Sequence, residues 1–204
     1  MSKALLTVLS GALIGLMLSS AHAYDQTDME DFVHRDTGLT KIAAHNALDA
    51  FEKQLAAEMA QKHAVKLSDF GRYNPKELAG PVAGRDPRNG SPLTYQSWKL
   101  VKKPLVVDEA TFNARAAERA GMPIDEYETA MKSFKEGVPI VISATAGNTL
   151  SMRGEGQYQL FATKEHVTKK GLVPSASKFR YKAFGSNHHT FTADKHLKCE
   201  LFGC

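Results

Sequence analysis

The chain has 204 residues, 43% of them hydrophobic, and carries 26 Lys/Arg against 22 Asp/Glu for a formal net charge of +4. That apolar share can bury a core, and the length allows one domain of ordinary size or two small ones. The only two cysteines supply too few ligands to make a metal site by themselves.

Lys3, an almost wholly apolar run from Ala4 to Leu18, and Ala21-His22-Ala23 open the chain. This is the pattern of a signal peptide, residues 1–23, with cleavage predicted after Ala23. The run falls short of the roughly 20 apolar residues that a membrane-spanning helix needs. No later segment reads as a span, so the mature protein is expected to be soluble beyond the cytoplasmic membrane, periplasmic or secreted.

A short helix is predicted from about Asp28 to Asp36. Thr40 can cap a second, longest helix from Lys41 to Gln61, in which Ile42, Ala43, Ala47, Ala50, Phe51, Leu55 and Met59 recur at helical spacing. Val65 to Ser68, Arg72 to Asn74 and Leu93 to Val101 read as strands. A second helix pair is predicted at Asp108 to Arg119 and Asp125 to Lys135, with Pro123 opening the latter at a position helices accept. Val138 to Ser143, Tyr158 to Ala162 and Phe179 to Phe184 read as further strands. Met29, Phe32, Met131 and Phe134 are expected in the core.

Charge alternates along this series. Residues 24–63 sum to −4, 64–107 to +5, 108–159 to −3 and 160–204 to +5. An acidic helical base followed by a basic sheet, twice over, is the pattern of a duplicated module with one binding face. Landmarks recur with it: Gly38-Leu39-Thr40-Lys41 against Gly121-Met122-Pro123-Ile124, and Gly71-Arg72-Tyr73 against Gly156-Gln157-Tyr158. Pro87 then maps near Pro174. The expected division is 24–107 for one module and 108–204 for a second with a degenerate arm.

Between the strands of the first module lies Gly84-Arg85-Asp86-Pro87-Arg88-Asn89-Gly90. Asn-Gly tolerates the positive φ of a tight hairpin turn, so a basic tip with a proline at its end is predicted. Phe70-Gly71-Arg72-Tyr73 followed by Arg85-Asp86-Pro87-Arg88-Asn89-Gly90 resembles the bacterial histone-like HU and integration host factor family, with its Gly-Phe-Gly-x-Phe turn and its arm tip Arg-Asn-Pro-x-Thr-Gly. Phe191-Thr192-Ala193-Asp194-Lys195-His196-Leu197-Lys198 is similar to the family's closing helix. Two departures stand out: Asp86 occupies the place of an asparagine, and the arm is one residue longer.

The resemblance implies an α+β fold, a helical base under β-sheet with extended hairpin arms, and an intertwined dimer. With two modules in one chain it implies a monomeric intramolecular pseudo-dimer. It further implies an architectural protein that binds and bends double-stranded DNA with little sequence specificity, without enzyme activity, cofactor or small-molecule substrate. The expected DNA contacts are Lys76, Arg85, Pro87, Arg88, Asn89, Lys99, Lys102 and Lys103 on the first copy. On the second they are Lys164, Lys169, Lys170, Pro174, Lys178, Arg180 and Lys182. Clustered Lys/Arg gives affinity for phosphates without reading sequence, and Pro87 at a tip can slide between base pairs.

Cys199 and Cys204 are expected to pair as a disulfide that pins the C-terminal end. His188-His189 with His196 lack a carboxylate or cysteine at ligand spacing, so no metal site is read there. No phosphate loop, nucleophile elbow or zinc-protease motif occurs. The alternative is the same fold reused to hold a protein or acidic polysaccharide at the cell surface, as export and Asp86 both suggest.

Overall fold

The computed structural model describes residues 23–144, 149–153, 155–161, 166–168, 171–173, 178–184 and 188–202. A two-residue strand β1 (Tyr24–Asp25) leads into α1 (Gln26–Thr37). Asp25 caps this helix by accepting from the Thr27 and Asp28 N–H groups while Asp28 accepts from the Asp25 N–H, and Gly38 ends it at φ 74°. The left-handed C-cap is why glycine stands there. α2 (Lys41–Ala60) follows, with the Thr40 hydroxyl accepting from the Ala43 N–H at 3.1 Å. Then come β2 (Ala64–Leu67), β3 (Gly71–Arg85), β4 (Pro92–Leu100) and β5 (Val106–Val107).

The next helices are α3 (Glu109–Ala120), which uses the same devices, and α4 (Ile124–Ala144). Asp108 caps α3 and Gly121 closes it at φ 65°. After them run β6 (Thr149–Met152), β7 (Gly156–Phe161), β8 (His166–Thr168), β9 (Gly171–Val173), β10 (Lys178–Ala183), β11 (His189–Ala193) and α5 (Lys195–Phe202).

Among the described residues the strands form two principal sheets, ordered β1-β6-β7-β10 and β5-β2-β3-β11, with β4 extending β3 outward and β8-β9 a separate hairpin. Each sheet begins with a short strand from elsewhere in the chain. Tyr24 and Asp25 pair in parallel with Leu150 and Ser151, while Val106 and Val107 pair in parallel with Ala64 and Val65. The first residue of each following helix repeats the exchange. The Gln26 side chain accepts from the Arg153 N–H at 3.0 Å, and the Glu109 carboxylate accepts from the Ser68 N–H at 2.7 Å.

The two antiparallel turns also match residue for residue. Val65 opposes Tyr73 and Leu67 opposes Gly71; Leu150 opposes Tyr158 and Met152 opposes Gly156. Both glycines are fixed by close approach of the outermost strand. A Cβ on Gly71 would lie 2.5 Å from the Thr192 carbonyl and 2.6 Å from the Phe191 ring, and one on Gly156 would lie 2.5 Å from the Lys182 carbonyl.

One core joins everything. α1 packs on α4 and α2 on α3, and Phe51 of α2 contacts Phe112 and Phe134 with ring centroids 5.6 and 5.3 Å apart. Met29, Phe134 and Met131 are buried as expected, and Phe32 is partly buried against Gly137. Where the sheets meet, the Tyr73 and Tyr158 hydroxyls hydrogen-bond to each other. Tyr158 also donates to the fully buried Glu155 carboxylate at 2.7 Å. Burial pushes the Glu155 carboxyl up to about 7, against the opposing pull of the Tyr158, Tyr73 and Tyr181 hydroxyls. Glu52 on α2 is pushed up to about 9 by burial and then by the Glu155 charge.

Three expectations change. Val138 to Ser143, read as a strand, forms the last turns of α4, which runs through Pro139. Val138, Val141 and Ile142 are buried at helical spacing, so packing overrides the β-branched composition. β3 is one strand of 15 residues, far longer than Arg72 to Asn74. The segment read as a closing helix from Phe191 is split, since Phe191 to Ala193 lie in β11 and α5 starts at Lys195, capped by Asp194.

Candidate nucleic-acid interface

β3 and β4 make a two-stranded ribbon that leaves the sheet at Pro75 and Val101 and ends at Arg85 opposite Pro92. Ala79 is bulged out between Leu78 and Gly80, and Gly80 sits at φ 115°. The bulge lets the ribbon twist without breaking β4. Because paired residues share a face, Lys76, Leu78 and Arg85 stand with Leu100, Trp98, Gln96, Thr94 and Pro92. That face continues the outer surface of the sheet, whereas Glu77, Val82, Lys99 and Tyr95 stand on the side toward the helices.

The tip is a six-residue loop and not the two-residue Asn-Gly turn expected. The Asp86 N–H donates to the Ser91 carbonyl at 2.8 Å and the Gly90 N–H to the Asp86 carbonyl at 2.7 Å. Asp86 also accepts from the Arg88 N–H at 2.8 Å, and Asn89 from the Ser91 N–H at 2.9 Å. Of Asn89 and Gly90, only Gly90 takes a positive φ, at 72°. Two side-chain turns thus hold the loop, and they leave Pro87, Arg88 and Asn89 exposed at its end, with Arg85 beside them.

The predicted contacts divide accordingly. Lys76, Arg85, Pro87, Arg88 and Asn89 are brought onto one arm. Lys99 is set apart from them: its ammonium lies 3.5 Å from Glu77, which also accepts from Lys62 at 3.3 Å. The Lys62 hydrogen bond, reinforced by the Lys99 charge, holds the Glu77 carboxyl below its usual range. Lys102 and Lys103 are exposed in the connection to β5. On β10 the backbone places Lys178, Arg180 and Lys182 opposite Phe161, Gln159 and Gln157. Lys164, Lys169, Lys170 and Pro174 lie outside the described residues. Strands β8 and β9 pair antiparallel, with Thr168 opposite Gly171. Cys199 is on α5, and its expected partner Cys204 lies outside the described residues.

Sequence reasoning missed Lys66 and Arg72. Inward-facing Val65, Leu67 and Tyr73 are buried, so their neighbours Lys66, Arg72 and Asn74 face outward, with Thr190 opposite Asn74 and Thr192 opposite Arg72. Tyr181 opposite Tyr158 faces inward in the same way, which turns Arg180 and Lys182 outward on the other sheet. Lys66 and Arg72 thus provide two cations on one sheet and Arg180 and Lys182 two on the other. The period-two alternation around Tyr73 was the available signal. The Trp98 ring, 39% exposed, stacks on His188 at the root of the arm, with centroids 3.3 Å apart.

A basic outer floor, an exposed basic arm and an acidic helical base define a polyanion-binding class of surface. Residues 24–103 match the family model of the bacterial DNA-binding proteins. Within the same region the chain is similar to the integration host factor alpha subunit of Nitrosococcus oceani, 28% identical over 79 residues, 39% of this chain and 79% of that one. The alpha subunit from Bordetella avium is 25% identical over 85 residues, 42% and 72% of the two chains. That from Coxiella burnetii is 27% identical over 79 residues, 39% and 76%. Among the described residues no helix is long and apolar enough to cross a membrane.

Proposed function

We propose that this protein is an exported architectural DNA-binding protein, built from two copies of one module that pack in a single chain as a pseudo-dimer. The observation that carries the reading is the coincidence of the family match over 24–103 with the exposed Arg85-Asp86-Pro87-Arg88 tip and the outward Lys66 and Arg72 on that same segment. The pairing of β1, at the start of the first copy, with β6 of the second supports two intertwined copies, which need no second chain to cover their helices. Lys3, the apolar run after it and Ala21-His22-Ala23 support export, and a Cys199–Cys204 disulfide suits that compartment.

Duplex DNA lies across the outer faces of both sheets, where Lys66, Arg72, Arg180 and Lys182 displace counterions from the phosphates. The arm follows the minor groove, Arg85 and Arg88 meet its phosphates, and Pro87 enters a base step and unstacks it. Such binding reads groove width and deformability more than base identity. The test is anisotropy of a short labelled duplex with the mature protein over a salt series. Arg85→Ala and Arg88→Ala are each expected to weaken binding to all sequences alike and to flatten the log-log salt slope by about 1. Unchanged affinity in both variants would refute the arm as a DNA site and favour an acidic polysaccharide or a protein as ligand.

A further inference from the structure

We propose that the root of the arm holds an unpaired nucleobase, stacked on Trp98, with Lys62 and Lys76 meeting the phosphates on either side of it. This rests on the DNA-binding reading above and adds to it a site for single-stranded DNA beside the duplex. Trp98 is the one tryptophan of the chain, and it stands on the arm, 39% exposed, and not in the core. Leu78 opposite it and Leu100 on the same face are each 53% exposed. Phosphate contacts use none of these apolar groups.

The His188 ring covers one face of the indole, with the two planes 17° apart. His188 is itself tied down, its carbonyl accepting from the Lys76 N–H at 2.8 Å. The indole is thus held flat, with its exposed area on the remaining face and edges. Beside it a cleft of about 460 Å³ opens toward the C-terminal end of α2, within the about 300–1,000 Å³ of ordinary small-molecule sites. Ala56 and Met59 give the cleft an apolar wall, and Lys62 and Lys76 border it together with Trp98. Glu77 borders it too, with its carboxylate held by Lys62 at 3.3 Å and by Lys99 at 3.5 Å. Two ammonium groups against one carboxylate leave the border net positive. A flat aromatic platform with cations beside it suits any nucleotide, since every base has a π-face and brings a phosphate. Bases inside a duplex have both faces stacked already, so the occupant is a base outside the helix, at a flap, a gap or a frayed end.

The test compares a nicked duplex, the same duplex with a short thymine flap at the nick, and one with an abasic flap of equal length. The nick matches flexibility in all three, and the flaps match phosphate charge in the last two. Binding by the mature protein is followed by anisotropy and by the fluorescence of Trp98. The thymine flap is expected to bind about tenfold more tightly than the abasic flap and to quench Trp98. Trp98→Leu, which keeps an apolar side chain, is expected to erase that difference while affinity for the plain nicked duplex stays within about twofold, and Trp98→Phe is expected to restore part of it. Equal binding of the two flaps, or a difference that survives Trp98→Leu, would overturn the inference. If none of the duplexes is bound at low salt, the DNA-binding reading fails; free oligothymidylate then decides the stacking site by itself, quenching of Trp98 upholding it and unchanged emission overturning it.

Discussion

Replacing Glu155 by glutamine should remove a specific share of the protein's sensitivity to alkali. The Glu155 side chain is buried in the seam between the sheets and its carboxyl is raised by burial to about 7, from 4.5. A raised carboxyl binds its proton more tightly in the folded chain than in the unfolded one. Its contribution is therefore complete below about pH 4.5 and is lost as pH rises through about 7. At 1.36 kcal/mol per unit, these two values give a loss of about 2 kcal/mol between pH 5.5 and 8. The substituted glutamine is neutral throughout, and its carbonyl still accepts from the Tyr158 hydroxyl. Relief of the Glu155 charge also eases Glu52, whose carboxyl that charge helps raise. Urea unfolding at the two pH values reads the difference directly: wild type should lose about 2 kcal/mol more than Glu155→Gln, about 4–8 °C in Tm for a chain of this size. Histidines and the carboxylates other than Glu52 cancel in the comparison. If both proteins lose the same stability, Glu155 does not hold a proton in the fold and the reasoning is wrong.

Asp86→Asn should tighten DNA binding, because the asparagine carbonyl can still accept from the Arg88 N–H while a negative charge beside phosphate disappears; looser binding by anisotropy would mean the carboxylate itself orders the tip. Lys66→Ala and Arg72→Ala should each lower the salt slope by about 1 and Lys99→Ala by far less, since Lys99 stands with Glu77 on the helix-facing side; equal losses would place the DNA elsewhere. Gly71→Ala should cost about 2–3 kcal/mol by chemical unfolding, the added methyl colliding with the Thr192 carbonyl and the Phe191 ring, and an unchanged midpoint would refute that packing. Residues 24–107 expressed alone should aggregate or self-associate in sedimentation, because Phe51 loses Phe112 and Phe134; a dispersed monomer would refute the pseudo-dimer.

Local signals made much of this legible in sequence. The cap at Thr40 marked a helix start, and the recurrence of Gly38-Leu39-Thr40-Lys41 as Gly121-Met122-Pro123-Ile124 and of Gly71-Arg72-Tyr73 as Gly156-Gln157-Tyr158 marked matching turns. The tip residues were recognisable because turn chemistry is local, although the Asn-Gly turn was replaced by side-chain turns from Asp86 and Asn89. What stayed hidden depends on partners remote in sequence. β1 and β5 are two residues each and exist only as additions to another sheet. α4 continues through Pro139 because the core rewards Val138, Val141 and Ile142 on one face. Lys66 and Arg72 became interface candidates only once Tyr73 was seen to point inward.

The last strand of the chain has a consequence for assembly. β4 departs at Val101, and the space beside β3 is filled by β11, with His189 opposite Pro75 and His188 stacked on Trp98 at the arm's root. The first sheet is thus finished by almost the final residues to be synthesised. Contacts between such distant parts of a chain form slowly. A polypeptide emerging N-terminus first leaves the root of the arm without its β11 neighbour until the C-terminal end arrives, and a chain truncated before β11 carries the Arg85-Pro87-Arg88 tip on a ribbon seated by the β2 pairing without the β11 one.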